Sequence, residues 1–230
     1  VSGTSILAPH FVMYIKDWLT EKYGEEAIQK GGLKVITSLD FQKQQWAEEI
    51  IRENVEKNAK NFNSTNAALV SMDPKTGEIL AMVGSKDYFD TENDGNVNVA
   101  IRLRQPGSSF KPFAYATAFS KGYMPKTILF DVKTDFGANG KEYIPQNFNG
   151  KFNGPVSMRE ALAGSLNIPA VKALYLAGID DTIDFARSMG ITTLKDTGNY
   201  GLALVLGGGA VTLLEETAAY GVFANDGLKN

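Results

Sequence analysis

A fold mixing helices with paired strands is predicted by three features of this sequence. Pro9–Tyr23, and the run from Asp40 to about Asn58, carry apolar residues at helical spacing. Residues 67–83 hold two short apolar runs around Asp73-Pro74-Lys75-Thr76-Gly77, which reads as a β-hairpin with Pro and Gly in its turn. Beyond Gly154 the chain returns mostly to helical patterning, with Ser157/Glu160 and Thr212/Glu215 at the interval of a capping box.

Taken in order, the first helix places Phe11, Val12, Ile15 and Leu19 on one stripe, and Gly24 stops it. Leu33–Ser38 is short, rich in strand-forming residues and bounded by Gly31-Gly32, so a strand is expected there. Asp40 stands where a helix N-cap would, and Phe41, Ala47, Ile51 and Val55 are the expected inward residues of the long helix that follows. Asn61–Asn66 is polar and turn-rich, which suits a boundary. A polar loop from Gly84 to Asn98 leads to Gln105-Pro106-Gly107-Ser108, where a helix is expected to run to about Lys121 and end at Gly122. Tyr123–Gly154 is rich in Gly, Asn and aromatics without clear periodicity. A segment of that length inside a domain implies a functional loop or short elements hidden in it. Gly178, Gly190 and Gly227 close successive helical stretches.

Composition removes several classes of function. The net charge is −3 and the basic residues are dispersed, so no block is suited to a phosphate backbone and nucleic acid is not expected as a partner. Cysteine is absent, which excludes disulfides, thiolate metal sites and a cysteine nucleophile. No apolar run reaches the roughly 18 residues that would span a bilayer. His10 is the only histidine and lies early in a helix, which offers little to a metal site or a catalytic triad. Gly207-Gly208-Gly209 lacks a following Gly-Lys-Ser/Thr and does not make a phosphate loop.

Ser108-Ser109-Phe110-Lys111 carries the chemistry. Residues three apart lie on one helical face, so the Ser108 hydroxyl and the Lys111 amine can come within reach of each other. A serine hydroxyl is a weak nucleophile until a base takes its proton. Lysine can be that base once burial or a neighbouring cation lowers its pKa, and Phe110, Phe113 and Tyr115 bring apolar bulk nearby. Ser109 is the rival nucleophile, but its third neighbour is Pro112, which has no base to give. Ser165-Leu166-Asn167, between two helical stretches, offers a hydroxyl and a carboxamide. They could relay a proton and hold a substrate amide, or serve only as helix caps.

Ser-x-x-Lys followed by Ser-x-Asn, in that order, resembles the penicillin-binding proteins of the bifunctional class A type. Arg104-Gln105-Pro106-Gly107-Ser108-Ser109-Phe110-Lys111-Pro112-Phe113 is similar to their nucleophile segment. The hairpin from Val70 to Gly84 resembles the strands that open their transpeptidase domain. Arg159-Glu160-Ala161-Leu162 before Ser165, and Leu206-Gly207-Gly208-Gly209 before Thr212, fit the same pattern. Ala8-Pro9-His10-Phe11-Val12 and Gly32-Leu33-Lys34-Val35 resemble the segment that joins glycosyltransferase to transpeptidase. The likeness covers nearly the whole chain in family order.

The resemblance implies an α+β fold, an antiparallel sheet flanked by helices, like that of serine β-lactamases and D,D-transpeptidases. It implies residues 1–64 as an interdomain linker segment and 65–230 as the N-terminal part of the transpeptidase domain. Ser108, Lys111, Ser165 and Asn167 become the expected catalytic residues, with no cofactor and no metal. The expected partners are peptidoglycan stem peptides ending in D-Ala-D-Ala, β-lactam antibiotics, and a C-terminal portion carrying a third motif, Lys-Thr-Gly, as further sequence or a second chain. The expected location is the extracytoplasmic face of a bacterial cytoplasmic membrane. Lys75-Thr76-Gly77 matches that third motif by letter only; it precedes the nucleophile and sits in a hairpin turn. A D,D-carboxypeptidase, a serine β-lactamase, a non-catalytic β-lactam sensor and a structural module are the alternatives.

Overall fold

The computed structural model describes residues 6–137, 141–195 and 197–230. They form two compact units, one made of the described residues up to 103 with 212–230 and the other of the described residues between 104 and 211.

In the first unit, helix α1 (Pro9–Tyr23) starts with proline in its first turn and stops at Gly24, as the sequence predicts. A short helix α2 (Glu25–Lys30) follows. Helix α3 (Phe41–Phe62) is capped by Asp40, whose carboxylate accepts the Lys43 N–H, and runs four residues past the expected end. Strands β1 (Leu69–Met72) and β2 (Ile79–Val83) form the predicted antiparallel hairpin. Alternate residues leave the two faces of a strand, and both faces here are covered. Ala81 and Val83 pack with Ala47, Ile51 and Val55 of α3, while Met82 packs with Ala8 and Phe11 on the α1 side. Helix α8 (Leu213–Ala224) also lies against β1, its N-cap Thr212 accepting the Glu215 N–H. Burial on both sides explains why the hairpin reads as continuous apolar runs rather than as alternation.

Two expectations for this unit are corrected. Leu33–Ser38 is not a strand. Ser38 and Asp40 donate to the Ile79 and Leu80 carbonyls at its edge, but Ile36 is 85% exposed and no ladder forms. Strand propensity without a partner yields only extended chain. Phe41 is exposed, and the inward stripe of α3 begins instead at Gln44. The Gln44 carboxamide accepts the Met82 N–H at 2.8 Å and donates to the Met82 carbonyl at 3.1 Å, satisfying a backbone pair that the hairpin leaves open.

The second unit is built around α6 (Asn167–Ala177), whose Ile168, Ala170, Val171, Ala173, Leu174 and Ala177 are all buried. A helix apolar on nearly every side belongs at the centre of a core. Helices α4 (Lys111–Ser120), α5 (Met158–Ala163) and α7 (Ile179–Ser188) pack on it, along with a 3-10 turn at Leu202–Leu206. The capping box predicted at Ser157/Glu160 is complete. The segment without periodicity holds strand β3 (Ile128–Asp131), and β4 (Gly154–Ser157) lies at its end; the two pair antiparallel. The antiparallel component is therefore two separate two-stranded sheets among the described residues. No described helix is long and apolar enough to cross a membrane.

Lys75-Thr76-Gly77 closes the β1–β2 turn. Asp73 accepts the Lys75 N–H through its carboxylate and the Gly77 N–H through its carbonyl. His10 is buried, within 2.9 Å of the Gly95 carbonyl and edge-on to Tyr88, and burial lowers its pKa. Its role is packing.

The packing assigns unequal weight to two residues of α3. In the intact protein, Ile51→Ala should lower the stability of this unit by about 2–4 kcal/mol in denaturant unfolding, as a cavity-forming core truncation does. Phe41→Ala should lower it by less than about 1 kcal/mol, since that ring lies half in solvent.

Candidate active site

Pro106 and Gly107 lead into a 3-10 turn, Gly107–Phe110, from which α4 continues at Lys111. The sequence suggests an α-helix from Ser108 onward; the tighter turn found there sharpens the geometry. A 3-10 helix has three residues per turn, so Lys111, which caps this one, follows Ser108 by one turn on the same side of the chain. The Lys111 N–H closes this turn on the Ser108 carbonyl. Ser108 is exposed while Lys111 is 1% exposed, so the pair joins a solvent-facing hydroxyl to a buried amine. Ser109 is occupied elsewhere, donating to the Pro106 carbonyl at 2.6 Å.

Gly107 adopts φ +63°, in the left-handed region that favours glycine. Gly207, at the end of the Leu202–Leu206 turn, has φ +93°, and its backbone comes hard against this turn. A Cβ at Gly207 would stand 2.3 Å from the Gly107 nitrogen and 2.5 Å from its Cα. Backbone on both sides leaves nothing that could swing away. Gly207 therefore sets the height of the serine turn, a role invisible in the sequence beyond the run of three glycines.

The second segment reaches the same amine from far along the chain. Lys111 Nζ donates to the Ser165 carbonyl at 2.6 Å, to Ser165 Oγ at 3.1 Å and to Asn167 Oδ1 at 2.8 Å. Ser165 is held at φ +50°, a left-handed conformation that costs a non-glycine residue roughly 1–2 kcal/mol and here turns carbonyl and hydroxyl toward one point. Asn167 opens α6. Its backbone N–H, with no cap from Leu166, is accepted by Asn147 Oδ1 at 2.8 Å. Pro169 carries no N–H and so removes another orphan donor from the first turn.

Three of the four predicted site residues are thus joined by hydrogen bonds, and Ser108 lies one turn before Lys111 in the chain. None of the three bonds from Lys111 reaches Ser108. An ammonium has three donors, all spent here; a neutral amine would donate twice and keep a lone pair. Burial lowers the Lys111 pKa from 10.5 to about 8, so the neutral form lies within easy reach of physiological pH. No group of three or more His, Cys, Asp or Glu suited to a metal occurs among the described residues. The sequence reading named Gly207 only within a run of glycines and did not single out Asp131 or Asn147. The density of Asn and Gly around 137–154 was the available signal for Asn147.

With this geometry in view, the comparisons with known proteins are direct. Residues 67–230 match the family described as "Penicillin binding protein transpeptidase domain". The chain belongs to that family. It is 35% identical over 227 residues to Penicillin-binding protein 2D of Bacillus subtilis (strain 168), covering 96% of this chain and 31% of that protein. It is 32% identical over 213 residues to Penicillin-binding protein 1A of Neisseria meningitidis serogroup A, covering 91% of this chain and 24% of the relative. The chain thus spans about a third or less of these relatives. Among solved structures, Penicillin-Binding Protein 1A from Haemophilus influenzae matches with a TM-score of 0.86 at 23% identity, over 97% of this chain and 47% of that one. The PonA1 protein from Mycobacterium tuberculosis in complex with penicillin V matches with a TM-score of 0.78 at 23% identity, over 98% and 61%. The mixed α/β arrangement is that of penicillin-binding transpeptidase domains.

The close approach of Gly107 and Gly207 makes a prediction for this family site. Gly207→Ala should lower β-lactam acylation of the intact protein by about a hundredfold, the scale of effect that a 1 Å misplacement produces. Stopped-flow or gel-based penicillin labelling measures it, and a rate within twofold of wild type would remove Gly207 from this role.

Proposed function

We propose that this chain carries the acylating centre of a peptidoglycan D,D-transpeptidase, with Ser108 as nucleophile, Lys111 as its base, and Ser165 and Asn167 as the groups that complete the centre. The observation that carries the reading is the Lys111 cluster. A buried amine with a lowered pKa follows an exposed serine by one turn and contacts a Ser-x-Asn segment 54 and 56 residues away. A structural lysine would gain nothing from such burial, since taking an ammonium out of water is unfavourable unless something requires it.

The steps follow from the residues present. Lys111, neutral, accepts the Ser108 proton as Oγ bonds to the carbonyl carbon of the penultimate D-Ala of a stem peptide. The C–N bond then breaks, and the terminal D-Ala leaves with a proton passed back from Lys111 through the Ser165 hydroxyl. An amine of a second stem attacks the Ser108 ester, forms the new amide and returns the serine. The Asn167 carboxamide orients Lys111 and borders the space where the substrate amide would lie. A β-lactam would open on Ser108 by the first step and remain as an ester, in keeping with the penicillin V complex of PonA1.

We also propose residues 1–64 as an interdomain segment and 65–230 as the N-terminal part of the transpeptidase domain, placed at the extracytoplasmic face of the membrane. The family match beginning at residue 67, and relatives that align with nearly the whole chain, support this division.

Mass spectrometry of a β-lactam adduct tests the nucleophile. Label should fall on Ser108 and vanish in Ser108→Ala; label on Ser109 would overturn the assignment. Lys75→Ala should acylate within about threefold of wild type, because substitutions in an exposed turn have small effects.

The pH dependence follows from burial of Lys111. Acylation should rise through a midpoint near pH 8 as the amine loses its proton, and should lose that midpoint in Lys111→Arg. Stability should move in the same sense. The lowered pKa means the folded state bears an unfavourable ammonium below about pH 8, and that burden fades as pH rises toward 10.5.

A further inference from the structure

We infer that Asp131 and Asn147 are positioning residues of this centre, a buried carboxylate that fixes the carboxamide of Asn147, which in turn fixes Asn167 against Lys111. The inference deepens the proposed function and rests on Lys111 being the base for Ser108.

Asp131 ends strand β3 and is fully buried. A buried carboxylate is destabilising unless its oxygens are satisfied. Asn147 Nδ2 donates to both oxygens at 2.9 Å, and Asn153 donates to Oδ2 from its backbone at 2.9 Å and from its side chain at 2.6 Å. Every one of these donors is neutral. Lys172 on α6 feels the charge, but its own hydrogen bond goes to the Phe130 carbonyl. Only an acceptor fits among so many donors; an amide there would turn N–H against N–H.

With its amino end committed to Asp131 and to the Lys151 carbonyl, Asn147 has its Oδ1 free to accept the backbone N–H of Asn167. The neighbouring Gln146 carbonyl accepts Asn167 Nδ2 at 2.7 Å. Asn167 is therefore gripped at its backbone and at the amino end of its side chain. That leaves Oδ1 as the end presented to the Lys111 ammonium. Without the grip, the carboxamide could flip and turn its donors toward a cation.

None of the three hydrogen bonds that Lys111 makes goes to a charged group. Glu160 of α5 is spent in its capping box, Asp181 and Asp184 of α7 are paired with Lys121 and Arg187, and Tyr115 on α4 is held protonated by burial. A hydrogen-bond acceptor favours the charged form of an amine, so loss of one from Lys111 would lower its midpoint.

The test follows Lys111 by its 13Cε resonance against pH in the intact protein, beside the β-lactam acylation rate and the melting temperature. In Asn147→Ala the midpoint of Lys111 should fall by about one pH unit, the size of one hydrogen bond to a charged group, and the plateau acylation rate should fall at least about tenfold. Asp131→Asn, which keeps the shape of the side chain, should shift both in the same direction by less. Asp135→Ala is the control. Asp135 caps the same loop through the Gly137 and Tyr143 N–H groups but touches none of the chain to Lys111. It should lower the melting temperature alone. Folded Asn147→Ala or Asp131→Asn protein with an unmoved midpoint and plateau would overturn the inference. So would an Asp135→Ala shift equal to that of Asn147→Ala. A shifted midpoint in a protein whose wild-type acylation ignores Lys111 would uphold the positioning chain and reject the proposed base.

Discussion

An ammonium held out of water one turn after a solvent-facing serine is the constraint on which the second unit depends. Lys111 has to be buried for its pKa to fall, and a buried cation has to be given acceptors or the fold will not tolerate it. The Ser165 carbonyl and hydroxyl and the Asn167 carboxamide supply three. Supplying them has consequences of its own: a strained left-handed serine, a helix that starts without a cap on its own preceding residue, and a loop whose asparagines replace that cap.

Much of this was legible in the sequence. The α1 boundaries, the Asp40 cap, the hairpin and the Ser157/Glu160 box follow from local rules that tertiary packing here reinforces. Ser108 and Lys111 are picked out by an interval of three, which a helical turn converts into proximity, whereas Ser165 and Asn167 are picked out by the family resemblance. What escaped was of another kind. Leu33–Ser38 has strand-forming side chains but no neighbouring strand to pair with, and pairing is a property of the fold rather than of the segment. Strands β3 and β4 pair across an irregular connection that no short-range pattern announces. Gln44 and Asp131 are buried for the sake of partners far along the chain, so a search for apolar periodicity passes over them.

The two units satisfy their buried polar groups in similar fashion. In the first, the Gln44 carboxamide completes a backbone pair at Met82; in the second, the Asn147 carboxamide completes the start of α6. An amide side chain suits both places because it offers a donor and an acceptor without charge. Among its described residues, the second unit buries charge only at Lys111 and at Asp131.

The contact between Gly107 and Gly207 bears on how the protein reaches its native state. These glycines lie about a hundred residues apart in sequence and touch backbone to backbone. Contacts of such separation form late, because the chain between them must first give up its freedom. The serine turn should therefore acquire its final shape only after the helices around α6 have assembled. A nascent or partly unfolded chain would then carry an ordinary, unreactive serine. Reactivity toward acylating compounds would report completed folding of this unit, which makes covalent labelling a probe of its maturation as well as of its chemistry.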